Sequence, residues 1–379
     1  MGLETEGRVP ESSELWVPNP RRNPRLRSLA PDRLHKYSRY TGRLRRSSHH
    51  QLRLTVNRRT FLSASASAAA GLAAGCVTTN PLTSGIIDTH THFYDPTRPG
   101  GVPWPDSQDA VLYRPYLPAQ FIPLVKPLGV TGTVVVEASA WVGDNDWLLR
   151  LAEQNPFLLG VVGHLNPGEP GFREHLTRLS RNRLFRGIRI GSDLLSAALR
   201  PGNTQDDLRR LSDLDLSLDL LIPPERLSDA ATLGDALPEL RIIVDHCANV
   251  PVGSTPPGEW TGGLAACHYT PNVFMKVSGL VEGTGLRGGQ APADPSHYRP
   301  VLDALWKPFG EDRLIYGSNW PVSLHFASYP TVLRIVQDYF ATKSSRAAAN
   351  YFHQNAARVY RLGFRLFGDT GTRPHTRSS

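Results

Sequence analysis

The run Asp88-Thr89-His90-Thr91-His92 carries the sharpest chemical signal in the sequence. Side chains alternate along a strand, so two histidines two positions apart at a strand end project the same way. Imidazoles so placed meet either one metal ion or one substrate oxygen. Further polar positions lie far away in the chain, each at or just past a short apolar run: Glu137, His164, Arg189, His246, Lys276 and Asn319-Trp320. A carboxylate at the end of Val134-Val135-Val136 is costly to bury alone. Glu137 therefore calls for Lys276, Arg189 or a metal beside it, either as working chemistry or as a structural ion pair. His164, in Gly163-His164-Leu165-Asn166-Pro167, reads as a substrate contact or as a plain loop histidine.

These positions matter only if the fold brings them together. Apolar runs predict strands near Ile86–Thr89, Thr131–Ala138, Leu158–His164, Phe185–Ile190, Leu218–Ile222, Arg241–His246, Val273–Ser278 and Arg313–Gly317. Runs such as Ile242-Ile243-Val244 are apolar on both faces, as parallel strands covered by helices are. Helical stretches intervene at Asp144–Glu153, Thr204–Leu214, Tyr298–Phe309 and Ser344–Leu362, the last with Ser344 as cap. Eight such units predict a single (β/α)8 barrel over 85–363. No Gly-rich phosphate loop follows the first strand, which argues against a doubly wound sheet. In a barrel of this kind the active site lies at the C-terminal ends of the strands. Every position named above falls at that rim; the fifth strand ends in Pro223-Pro224 and contributes nothing.

The segments Ile87-Asp88-Thr89-His90-Thr91-His92-Phe93, Arg186-Gly187-Ile188-Arg189, Val244-Asp245-His246, Lys276-Val277-Ser278-Gly279-Leu280, Gly317-Ser318-Asn319-Trp320-Pro321-Val322 and Asn355-Ala356-Ala357-Arg358-Val359-Tyr360 resemble the amidohydrolase-related branch of the amidohydrolase superfamily, and its lactonase-like part in particular. The resemblance spans about Gly85 to Gly363. It implies a hydrolase that opens a small lactone or related cyclic ester, sugar-derived by expectation. By position it gives His90, His92 and His246 the task of polarising the carbonyl. They would act through one divalent metal, Zn or Mn, or directly without one. Arg189, with Lys276, would hold a substrate carboxylate, and His164 and Trp320 would contact substrate. The motifs leave amide hydrolysis and decarboxylation open.

One departure bears on mechanism. The family's usual Gly-Ser-Asp-Trp-Pro is Gly-Ser-Asn-Trp-Pro here. An amide cannot serve as a general base. The base is then elsewhere, with Glu137 and His164 the candidates; or a metal-bound water needs no such base; or the barrel binds without turnover, as an envelope binding protein. Asn319 can still orient water or substrate. Trp104 and Trp141 are further candidates to line the pocket, which the connections 95–118 and 249–260 are expected to shape.

The basic character of the chain lies outside this domain. Of 42 Lys and Arg and 34 Asp and Glu, residues 1–59 carry 14 and 5, a net of +9, so the remainder is close to neutral at −1. A nucleic-acid groove on the barrel is not expected. Residues 1–56 form a basic leader, read as disordered or as a mis-assigned start with Val56 the true initiator. Asn57-Arg58-Arg59-Thr60-Phe61-Leu62 and the apolar stretch after it resemble a twin-arginine export signal over 57–76. Ala74-Gly75-Cys76 resembles a lipoprotein site. An exported protein of the periplasm or cell envelope is expected, with Cys76 as a lipid anchor or with plain cleavage. A linker follows at 77–84, and 364–379 is a polar tail. Cys247 and Cys267 offer a disulfide in such a compartment, though each also reads as a small buried hydrophobe.

Overall fold

The computed structural model describes residues 85–363. The leader, the export signal with Cys76, the linker and the tail lie outside the described residues. Eight parallel strands follow one another around a barrel in sequence order: β1 Ile86–Thr91, β2 Val130–Val136, β3 Leu158–Gly163, β4 Phe185–Gly191, β5 Ser217–Leu221, β6 Arg241–Val244, β7 Val273–Val277 and β8 Leu314–Tyr316. Each matches an expected strand within a few residues. The ring closes where β1 meets the chain after β8. Thr91 bridges Trp320 there, and the His92 N–H donates to the Trp320 carbonyl at 2.8 Å.

Alternation along the strands sorts the two faces. Val135, Leu218, Leu220, Ile242 and Val244 pack outward against the helices. Ile87, Val134, Val136, Val162, Ile243 and Ile315 point inward. The inward positions between Ile188 and Ile190 on β4, Leu218 and Leu220 on β5, and Met275 and Val277 on β7 are Arg189, Asp219 and Lys276. Three of the strands thus bring an ionic side chain into the barrel lumen.

The last segment departs from the single helix expected over Ser344–Leu362. Ser344 does cap it, accepting from the Ala347 N–H. After Ser345–Ala349 a π turn at Asn350–Gln354 interrupts the helix before Asn355–Val359. The wider turn lets the segment reach under the barrel. Arg241 Nε, at the start of β6, donates to the Val359 carbonyl at 2.7 Å, and Asn355 Nδ2 donates to the Leu314 carbonyl at 2.9 Å. Tyr360 thus enters the lumen from below and donates its hydroxyl to Asp219 Oδ2 at 2.8 Å. Helix Val142–Gln154 starts two residues before the expected Asp144 and has no side-chain cap. Asp144 sits in its first turn instead and pairs with Arg98. Tyr360→Phe removes a hydrogen bond to a buried carboxylate and should lower unfolding free energy by about 1–3 kcal/mol in urea titrations. An unchanged midpoint would mean that the plug does not brace the barrel.

Candidate active site

Three imidazoles meet at the C-terminal mouth. The ring centroids of His90 and His92 lie 4.9 Å apart, and those of His90 and His246 4.3 Å. Local backbone explains each position. Asp88 Oδ1 accepts from the His90 and Ser318 N–H groups at 3.1 and 2.9 Å, and its Oδ2 accepts from Tyr329 at 3.0 Å. That carboxyl, pushed up to about 6 by burial, straps the histidine pair to the loop after β8. His246 follows β6 in a left-handed turn, with φ of 54°, 54°, 56° and 51° at His246, Cys247, Ala248 and Asn249. This run ends β6 at Val244, before the His246 expected from the sequence. The turn needs a neighbour without a side chain: a Cβ on Gly279, itself at φ 69°, would come within 2.7 Å of the His246 Cβ. Gly317 is required in the same sense, since its Cβ would stand 2.8 Å from the His90 Cβ. Asn319 is also left-handed, at φ 56°. Strained backbone of this sort gathers at functional sites.

Below the imidazoles the lumen holds a buried ionic group. Lys276 Nζ lies 2.6 Å from Asp219 Oδ2, 2.9 Å from Asp245 Oδ1 and 3.2 Å from His90 Nδ1. Lys276, Asp219, Asp245 and His90 are all fully buried. Burial opposes charge on every member. It lifts Asp219 to about 6 even against Lys276, whereas Lys276 and His90 together outweigh it at Asp245 and hold that carboxyl well below the usual range. Burial also drives His90 well below an ordinary histidine, His92 to about 3 and His246 to about 4. All three imidazoles are neutral at pH 7.

Their hydrogen bonds say which nitrogens remain for a ligand. His92 Nδ1–H donates to the Val136 carbonyl at 3.0 Å, which leaves Nε2 as a lone pair facing Asn319 Oδ1 at 3.3 Å. His246 Nδ1 is bonded to Ser278 Oγ at 2.8 Å. His90 Nε2 is buried and has no hydrogen-bond partner. Lys276 donating to His90 Nδ1 makes Nε2–H a donor for an oxyanion. Asp245 Oδ1, 3.5 Å away, accepting from Nδ1–H instead makes Nε2 a lone pair for a cation. Donor atoms of His90, Asp245 and His246 all lie within 4.8 Å of one another. A divalent ion fits that set, in which Asp245 takes the place expected for His92.

The remaining candidates divide. Arg189 reaches the rim and is bound to Glu137, with Nε–Oε1 at 2.9 Å and Nη2–Oε1 at 2.8 Å. Burial opposes its charge, but the carboxylates of Glu137 and Asp245 keep it a firm cation. Glu137 is thus tied to a guanidinium. Trp104, from the connection 95–118, packs edge-on against His92 with centroids 5.9 Å apart. His164 is fixed through its main chain, which exchanges hydrogen bonds with the Asn145 amide. Two expected substrate contacts lie elsewhere. Lys276 is sealed under His90, because its three ammonium hydrogens have three acceptors around them. Trp320 is 2% exposed and packs among Phe93, Tyr116 and Phe121. Trp141 stands in solvent at 44% exposure. Cys247 and Cys267 are both free and buried rather than bridged.

Sequence reasoning missed Asp88, Asp219, Asp245 and Glu282. A lone Asp inside Leu218-Asp219-Leu220-Leu221 is itself a signal, because such a charge needs a partner. Nothing local marks Glu282, whose Oε1 accepts from Asn319 Nδ2 at 2.9 Å.

The chain matches the family model described as amidohydrolase over residues 87–362. It is 32% identical over 289 residues to an L-fucono-1,5-lactonase of Burkholderia ambifaria, covering 73% of this chain and 95% of that protein. A Burkholderia multivorans protein of the same name is 29% identical, with 73% and 96% covered. A crystal structure of a Burkholderia multivorans amidohydrolase with bound zinc superposes with a TM-score of 0.67 at 28% identity, over 73% of this chain and 99% of that one. The chain belongs to the amidohydrolase family.

Removing the lumen's ammonium tests its weight. Lys276→Met leaves two carboxylates buried without their cation and should destabilise the fold by about 3–5 kcal/mol. Equilibrium unfolding of this variant beside Tyr360→Phe would reveal a much larger loss; equal losses would count against the ionic account.

Proposed function

We propose that this amidohydrolase opens a small lactone, with a sugar-derived aldonolactone as the substrate class. The observation that carries the reading is the convergence of three neutral imidazoles beside Arg189 at one barrel mouth. Its support from outside is the likeness to proteins named L-fucono-1,5-lactonase over nearly their whole length.

The lactone carbonyl would face His90 and His246, while Trp104 covers one side of the ring and excludes water from it. Nε and Nη2 of Arg189 are engaged by Glu137, so Nη1 is the donor left for a substrate hydroxyl or for the carboxylate that ring opening creates. In its Nε2–H form His90 donates to the oxyanion in a site closed to solvent, where such a bond is worth far more than in water. A divalent ion held by His90, His246 and Asp245 would polarise the carbonyl and acidify water. His92 and Asn319 present acceptors side by side and so orient a water's hydrogens.

We also propose that the enzyme works outside the cytoplasm, on the strength of Arg58-Arg59-Thr60-Phe61-Leu62 and the apolar stretch behind it. A lipid anchor at Cys76 is part of that reading.

Asn319 is the feature that favours binding without turnover. A panel of five- and six-membered aldonolactones, with and without Zn or Mn, separates the readings. At least one lactone should open with release of acid, and His90→Ala should cut kcat by about 100-fold or more. Ligand affinity without turnover across the panel would establish the binding-only reading instead. Arg189→Met should raise KM by about 10-fold or more, the loss of a charge-assisted hydrogen bond.

A further inference from the structure

The loop after β7 holds a carboxylate that the scheme above leaves unused. Glu282 opens the single turn Glu282–Thr284. Asn319 Nδ2 donates to its Oε1 at 2.9 Å, while its Oε2 is out of solvent and has no hydrogen-bond partner. No ion pair holds it among the described residues. An enclosed carboxylate with one orphaned oxygen is expensive, and stability alone gives no reason to keep one. Asn319 Oδ1 faces His92 Nε2 on its other side. Carboxyl, amide and imidazole thus stand in line from this loop to the mouth, with acceptors of the last two side by side.

We propose that Glu282 is the general base of this site, Oε2 taking a proton from the attacking water while the Asn319 amide holds Oε1. The proposal rests on the lactone-hydrolysis reading. As the water oxygen bonds to the carbonyl carbon, one O–H bond breaks and its proton passes to Oε2. As the tetrahedral adduct collapses, the ring C–O bond breaks and that proton passes to the leaving ring oxygen. The product is a hydroxy acid, which ionises to solvent, and Glu282 is a carboxylate again.

The electrostatics suit the task. A base works best with its pKa near the working pH, and burial lifts Glu282 to about 7. The titratable groups that feel its charge are Cys247 and Tyr298, both pushed up by burial and neutral around pH 7. His92 and His246, across Asn319 and the mouth, are neutral well below that pH. Of these groups, Glu282 is the one that changes charge near neutrality.

The test takes the lactone that the full chain opens best and follows kcat and KM against pH. The parent's kcat should rise through about pH 7 and then level off, since the base acts only when ionised. Glu282→Gln should lower kcat about 100-fold or more with KM within about threefold, and formate should restore part of the activity of Glu282→Ala. Should Glu282→Gln fail to fold, Glu282→Asp serves: its acid limb should move, and an unmoved limb overturns the proposal. So does a folded Glu282→Gln whose kcat stays within about threefold of the parent. A parent inactive on every lactone overturns the hydrolysis reading and this base with it; an active parent indifferent to Glu282 overturns only the base.

Discussion

A single ammonium inside the barrel sets the terms for everything above it. Lys276 stands between Asp219 and Asp245 and touches His90 Nδ1. Taking these charges out of water is costly, and the attraction among them offsets that cost only if the geometry is held. The geometry comes from four separate elements: β5, the end of β6, β7 and the C-terminal plug that brings Tyr360 to Asp219. Lys276, Asp219 and Tyr360 lie below the mouth, and Asp245 alone of these side chains brings a donor atom within 4.8 Å of His90 and His246. Their effect arrives through His90, whose nitrogen facing the ligand is a donor or a lone pair according to which neighbour holds its other nitrogen. On the proposed reading, the neighbours of His90 Nδ1 decide between direct and metal-assisted catalysis.

The layer above is held by unfavourable backbone. Four consecutive left-handed residues, His246 to Asn249, aim an imidazole that an extended strand would carry past the mouth. Left-handed backbone costs roughly 1–2 kcal/mol per ordinary residue. Surrounding contacts hold it: the His246 N–H bonds to Ser278 Oγ, the Trp260 indole donates to the Cys247 carbonyl, and Asn249 donates to the Ile222 carbonyl. Gly279 leaves room for the result. Packing around the loop therefore stabilises a conformation that the loop alone would not take.

The barrel was legible in the sequence because buried parallel strands write themselves as apolar runs, and eight of them were countable. The rim was legible for a related reason: polar residues at the ends of such runs are conspicuous, and His90, His92, His246 and Arg189 do converge. Depth was not legible. Lys276 on β7 and Arg189 on β4 are both cations on inward positions, yet the first is sealed and the second reaches the rim. The difference lies in which carboxylates the other strands supply. Trp320 misled for a similar reason, since residues after a strand end alternate between the mouth and the helical layer. Left-handed turns and the π turn depend on packing between distant segments, which local periodicity does not encode.

Asn319 and Glu282 make more sense as a pair than separately. Two buried carboxylates in contact cannot both ionise, and one would be forced to keep a proton near neutral pH. With an amide at 319, Glu282 has a donor for one oxygen, and its other oxygen is buried without a hydrogen-bond partner. With Asn at 319, the ionisable carboxyl is that of Glu282, one hydrogen bond beyond the amide that faces His92. On the proposed reading, what looks like a lost base in the sequence is a base set back by one hydrogen bond, on Glu282.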